Sequence, residues 1–100
     1  MTEIVSQEEL DKILKENKKV VVDFWAPWCG PCKTMLAVLE QVEQEFEEIF
    51  FCKIDVDEVP KLADTYKVRG IPTLIKFKNG ILDSSKVGLL PINKIREWCL

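Results

Sequence analysis

Val20-Val21-Val22-Asp23-Phe24-Trp25-Ala26-Pro27-Trp28-Cys29-Gly30-Pro31-Cys32 is the stretch on which the fold turns. Val20 to Ala26 is β-branched and aromatic, too short for a solitary helix and nearly unalternating, as expected of a strand covered on both faces. The reading is a central strand. Beyond it, from Cys32 to about Phe46, the apolar residues Met35, Leu39, Val42 and Phe46 recur at i, i+4, i+7 and i+11, opposite Glu40, Glu43 and Glu47. A buried strand therefore runs into a long surface helix, with two cysteines at the junction.

The flanking sequence repeats this alternation. Ser6 and Glu9 form a capping box ahead of Leu10, Ile13 and Leu14, predicting an amphipathic helix that ends near Asn17. Ile49 to Ile54 reads as a second buried strand, and Pro60 suits the first turn of a short helix to Tyr66. Thr73–Phe77 and Ile81–Val87 flank Asn79-Gly80, a dipeptide that tolerates the positive φ angles of a tight hairpin. Pro91 opens a last helix with Ile92, Ile95 and Cys99 on one stripe. The expected fold class is α/β: a central mixed β-sheet, parallel strands plus a C-terminal antiparallel hairpin, flanked by helices on both faces. Glu45, Glu47 and Glu48 stand where the helix dipole prefers cations, and a solvated face is the expectation there.

A chain of 100 residues suits a single domain spanning 1–100, and surface scaling gives it roughly 5,800 Å² of accessible area when folded. Apolar residues make up 47% and charged residues 31%, which excludes disorder and low-complexity sequence. The net charge is −3 and no basic stripe exists, so nucleic acid is not an expected partner. Met1 to Lys12 has no apolar core of an export signal, and the longest near-apolar run is interrupted by Asp23. The expectation is a cytoplasmic protein with no membrane partner, whose four cysteines stay reduced and serve redox or metal chemistry.

Cys29 and Cys32 lie at the carboxyl end of the predicted central strand, where open α/β sheets place their sites. Three residues on a helix is nearly one turn, so the two Cβ atoms can come within disulfide reach. Cys29 would sit at the helix N-terminus, where free amides and the dipole stabilise a thiolate, with Cys32 more enclosed. Cys29 is thus the expected attacker and Cys32 the resolving thiol. Pro31 stiffens the first turn, and Gly30 leaves the backbone open to an approaching polypeptide. A CxxC is also half of a zinc site, but zinc would need two further ligands from a chain with no His, and Cys52 and Cys99 are separated by 46 intervening residues and fall on different elements. No metal site is expected.

Asp23 aims a carboxylate into apolar surroundings, which costs several kcal/mol if it stays charged and unpaired. Burial would push it toward proton exchange near neutrality, suiting a base for the second thiol, with Lys53 on the next strand as partner. The alternative is a carboxylate hydrogen-bonded to backbone. Gly70-Ile71-Pro72-Thr73 reads by spacing as an ordinary turn, since only about 5–6% of X–Pro bonds are cis.

The segments Val22–Ala26, Trp28–Lys33, Lys53–Asp57, Arg69–Thr73, Phe77–Gly80 and Val87-Gly88, in order along essentially the whole chain, closely resemble the thioredoxin family. A CxxC beside a βαβ pattern is itself a thioredoxin-like redox signature. The resemblance implies the thioredoxin fold, with Cys29 as exposed nucleophile, Cys32 as resolving thiol, Asp23 as buried proton acceptor and Lys53 as its neighbour. It implies a cis Pro72 packed against the disulfide, and a docking surface for substrate proteins formed by Trp28, Gly30, Pro31, Ile71, Pro72 and Gly88. It further implies a monomeric protein disulfide reductase and electron carrier with no bound cofactor beyond the redox-active Cys29–Cys32 disulfide. Its partners would be an NADPH-dependent flavoprotein thioredoxin reductase and disulfide substrates such as ribonucleotide reductase, peroxiredoxin and methionine sulfoxide reductase. Alternatives on the same fold are a thiol oxidant or isomerase, disfavoured because such proteins often carry His inside the CxxC, and a non-catalytic binding subunit.

Two positions depart from the family pattern. Ala37 replaces the usual kinking proline, predicting a less interrupted second helix, and Pro91 replaces a serine cap, predicting a weaker cap on the last helix. Cys52 and Cys99 are outside the pattern. Core packing is the expectation for both, against regulatory oxidation or a Cys99 dimer.

Overall fold

A computed structural model describing residues 1–100 orders the chain as β1 (Thr2–Glu3), α1 (Gln7–Glu16), β2 (Lys19–Trp25), α2 (Gly30–Glu43), β3 (Ile49–Asp55), α3 (Pro60–Thr65), β4 (Thr73–Lys78), β5 (Ile81–Val87) and α4 (Ile92–Cys99). The five strands form one sheet in the order β1-β3-β2-β4-β5. The Val-rich stretch is the middle strand, parallel to β3 and antiparallel to β4. Its alternate residues divide two cores. Val20, Val22 and Phe24 pack with Leu10 of α1 and Leu62 and Ala63 of α3, whereas Val21 packs with Met35, Leu39 and Val42 of α2 and Ile95 of α4. Both faces of β2 are therefore dry, which is why its sequence does not alternate. The folded surface is 5801 Å², in line with surface scaling. No helix is long and apolar enough to cross a membrane.

Local signals account for most boundaries. Ser6 caps α1 by accepting from Glu9 N–H at 3.2 Å, and the Glu9 carboxylate reaches back to Val5 N–H at 3.4 Å. Asn79 and Gly80 both take positive φ, 53° and 79°, as the β4–β5 hairpin requires. No side chain caps α4 behind Pro91, and α2 runs unbroken through Ala37.

Other expectations need correction. The second helix spans Gly30–Glu43 and not Cys32 to Phe46: Cys29 caps it, and at its far end Glu45 N–H turns back to the Val42 carbonyl, so the chain leaves the helix while Phe46 still packs on the core. Two-residue β1 carries no periodicity and is defined only by pairing with β3. The acidic stretch after α2 is solvated as expected, with Glu45, Glu47 and Glu48 all exposed, but two carboxylates at this end also find partners. Glu45 accepts both Nε and Nη2 of Arg96, at 2.7 and 2.8 Å, and Glu43 lies 3.6 Å from the N-terminal ammonium. These partners come from α4 and the chain start, invisible to a reading along one helix.

Candidate active site

The site begins where β2 ends. After Trp25 and Ala26 the chain turns, Cys29 N–H donates to the Ala26 carbonyl at 3.1 Å, and α2 starts. Cys29 and Cys32 are joined as a disulfide with their Cα atoms 5.2 Å apart, and Cys32 N–H points at Cys29 Sγ from 3.2 Å. That amide and the helix dipole would stabilise the thiolate released on reduction. Ala26, Cys29 and Cys32 make a small buried cluster, packed against Trp25, Val56 and Ile71. Cys29, expected to be exposed, is only 5% exposed in this disulfide form against 1% for Cys32, because its sulfur is tucked into the cap of α2. Gly30 and Pro31 beside it are exposed, and a Cβ on Gly30 would meet nothing within 4 Å.

Two further segments close around the pair. The Ile71–Pro72 bond is cis, where spacing alone reads an ordinary turn, and Pro72 is buried. Gly88 N–H donates to the Pro72 carbonyl at 2.8 Å, with Gly88 at φ 91°, a conformation that excludes most side chains there. Trp28 is 70% exposed, and its indole donates to Asp57 at 2.6 Å. Asp57 is in turn held by Asp55, which accepts its N–H at 2.9 Å. Asp55 and Asp57 stand in the Lys53–Asp57 segment, but their part as site residues is visible only once β3 lies beside β2.

Asp23 lies on the strand face covered by α2, opposite Lys53 on β3 and Leu74 on β4. It is fully buried and neither carboxyl oxygen has a hydrogen-bond partner, which removes the backbone-bonded alternative. Burial pushes its carboxyl up to about 7, the Lys53 ammonium opposes this, and Glu3 adds to it. Lys53 forms no ion pair within 4.0 Å; its ammonium sits 4.7 Å from the centre of the Trp25 ring, so it acts on Asp23 through space. Trp25 is thus a site residue that sequence reading passed over as strand filler.

The remaining thiols are core residues. Cys52 is fully buried among α1, α3 and the sheet, and burial, with Asp23 nearby, pushes it up to about 12. Cys99 is 1% exposed on the opposite face, and burial pushes it up to about 11. The four sulfurs fall in three separate clusters, so they cannot converge on one metal.

Comparison with known proteins fits this geometry. The family model described as Thioredoxin matches residues 1–100. A thioredoxin of Mycoplasmoides gallisepticum is 42% identical over 97 residues, covering 97% of each chain. Oxidised mitochondrial thioredoxin 3 from Saccharomyces cerevisiae superposes with a TM-score of 0.92 at 34% identity, covering 98% of this chain and 92% of that one. A chain from a structure addressing thiol resolution in yeast mitochondrial 1-Cys peroxiredoxin via glutathione/thioredoxin systems superposes with a TM-score of 0.91 at 33% identity, with the same coverage.

Proposed function

This chain belongs to the thioredoxin family, and from that premise we propose how its own residues divide the work of disulfide reduction. It is a protein thiol–disulfide oxidoreductase with the thioredoxin fold, which reduces protein disulfides through the reversible Cys29–Cys32 pair and uses no other cofactor. In the proposed cycle the Cys29 thiolate attacks one sulfur of the substrate disulfide, that S–S bond breaks, and one substrate thiolate leaves. The Cys32 thiol then passes its proton to the Asp23 carboxylate and attacks Cys29 Sγ. The mixed disulfide breaks, the second substrate thiolate leaves, and the Cys29–Cys32 disulfide remains. Two electrons move from the pair to the substrate, and the two substrate thiolates take up the Cys32 proton, released again by Asp23, and one proton from solvent. The observation that carries this division is Cys29 at the cap of α2 with the Cys32 amide aimed at its sulfur.

Trp28, Gly30, Pro31, Ile71, Pro72 and Gly88 serve as the docking rim in this reading: Trp28 and the Gly30-Pro31 turn are exposed, and Ile71 packs on the pair. Lys53 holds Asp23 ionisable despite its burial. The family's general partners are thioredoxin reductase and disulfide-bearing proteins. For this chain we assign an NADPH-dependent flavoprotein reductase, and ribonucleotide reductase, peroxiredoxin and methionine sulfoxide reductase as clients, in a monomer carrying electrons in the cytoplasm. The peroxiredoxin assignment draws support from the yeast structure of similar shape. The deciding experiment is the reduction potential of the pair, by equilibration with dithiol buffers and counting of alkylated thiols. A value near about −270 mV, the reference for thioredoxin itself, is expected; one near about −180 mV, as in protein disulfide isomerase, would make the protein an oxidant or isomerase.

A further inference from the structure

Three charged side chains form a row across three neighbouring strands. Glu3 on β1 pairs in register with Lys53 on β3, and Lys53 pairs in register with Asp23 on β2. Directly paired residues share a sheet face, so the row runs from the partly exposed edge at Glu3 to the buried centre at Asp23. The outer position is fixed by backbone: Ile4 N–H donates to the Lys53 carbonyl at 2.8 Å, locking two-residue β1 at this point of β3. The side chains meet on Trp25. Its indole N–H donates to Glu3 at 3.2 Å, its ring carries the Lys53 ammonium at 4.7 Å, and it packs against the cysteine cluster.

We propose that Glu3 is a positioning residue for disulfide exchange, dividing the Lys53 ammonium between two carboxyls and holding the Trp25 indole beside the cysteine pair. The inference rests on the reading of Asp23 as proton acceptor. Burial raises the Asp23 carboxyl and Lys53 opposes it; without Glu3 the Lys53 ammonium would draw the midpoint further down. Glu3, at the outer end of the row, adds a negative field that raises Asp23 beyond what burial does and so offsets part of the pull of Lys53. The other charged and titratable groups of the packed elements leave this assignment intact. Cys52 is adjacent on β3 but its side chain packs in the opposite core, Leu74 faces Asp23 from β4, and Lys76 lies two residues further along. Helix α2 contributes Cys29 and Cys32, and α4 contributes Cys99.

Glu3→Gln tests the proposal because it removes the charge while leaving an oxygen to accept the Trp25 N–H. The readout is the Asp23 carboxyl carbon followed by NMR across pH in the reduced protein, together with the pH profile of mixed-disulfide resolution. The expected result is a midpoint lowered by roughly 0.2–0.7 pH unit, the coupling of a partly exposed charge pair, with the acidic limb of the rate profile moving the same way. Lys53→Gln moves the midpoint upward. An Asp23 midpoint that stays put in Glu3→Gln while Asp23→Asn slows resolution overturns the role of Glu3 alone. Unslowed resolution in Asp23→Asn overturns instead the proton-acceptor reading beneath it.

Discussion

Two regions on one face of the sheet are built from the same kinds of residue. At the carboxyl end of β2 stand a buried Asp23, Trp25 with Lys53 over its ring, and the Cys29–Cys32 pair. Where β4 meets α4 stand a buried Lys76, Trp98 with Lys76 over its ring at 5.3 Å, and Cys99. The second region is satisfied. Lys76 Nζ donates to the Trp98 carbonyl at 2.6 Å and lies 3.5 Å from Asp83, and the Trp98 indole donates to Ser84 at 2.8 Å. The β-bulge opposite Lys76/Phe77 sets Asp83 as the extra residue of β5, beside that ammonium. In the first region Asp23 is left with no hydrogen bond at all. A charge buried for structure is surrounded by partners; one whose two protonation states must stay close in energy is denied them.

The comparison breaks most visibly at the sulfurs. Cys29→Ser should drop insulin-disulfide turnover to background, and Cys32→Ser should accumulate a mixed disulfide on Cys29, measurable by mass spectrometry. Cys99→Ala should leave turnover intact and cost stability only on the scale of a small cavity, about 1 kcal/mol. Loss of turnover in that variant would show that the two regions are not separate in function.

Asp23→Asn comes next and should pull activity and stability in opposite directions. Resolution at pH 7 should slow by about 10²-fold, the scale of a lost general base. Asp23 titrates at 3.8 when unfolded and at about 7 when folded, so at pH below 3.8 both states are protonated and nothing is lost. As pH rises from there to 7 the unfolded chain ionises first and stability falls, by roughly 4 kcal/mol at about 1.4 kcal/mol per pH unit. Urea unfolding of the native protein should weaken over that window, and Asp23→Asn should flatten the decline and be the more stable protein at pH 8.

Lys76→Ala should do the reverse. It leaves the Trp98 carbonyl and Asp83 without their cation and should destabilise by about 1–3 kcal/mol in urea titrations, with turnover unchanged. A fall in turnover matching the loss seen in Asp23→Asn would erase the distinction drawn between the two regions. Smallest is Arg96→Ala at the surface, which frees Glu45. Calorimetry should show a slight drop in melting temperature that disappears in high salt, where exposed pairs are screened.

The two regions also differ in how far they could be read along the chain. The first was legible because strand, turn and helix N-terminus are contiguous from Val20 to Cys32, so local periodicity already places both thiols. Its outer members were not, since Glu3 and Asp57 reach Trp25 and Trp28 across the fold and Asp55 acts only by holding Asp57. In the second region the hairpin and the last helix are legible, but the meeting of Lys76, Ser84 and Trp98 is not: it depends on a β-bulge and on where the helix docks on the sheet, and neither has a spacing signature.

The sequence by itself determined every element but β1, and the chemistry of the cysteine pair. Burial periods, the capping box, Asn79-Gly80 and the CxxC at a strand–helix junction are short-range features, fixed by dihedral preference and side-chain spacing. Only the tertiary structure decided the state of the groups. Whether Asp23 is hydrogen-bonded, which ring Lys53 rests on, whether Cys52 and Cys99 are accessible and what Glu45 pairs with all depend on residues distant in sequence. Desolvation and Coulomb forces are set by what surrounds a group in space, and chain order carries no direct record of that.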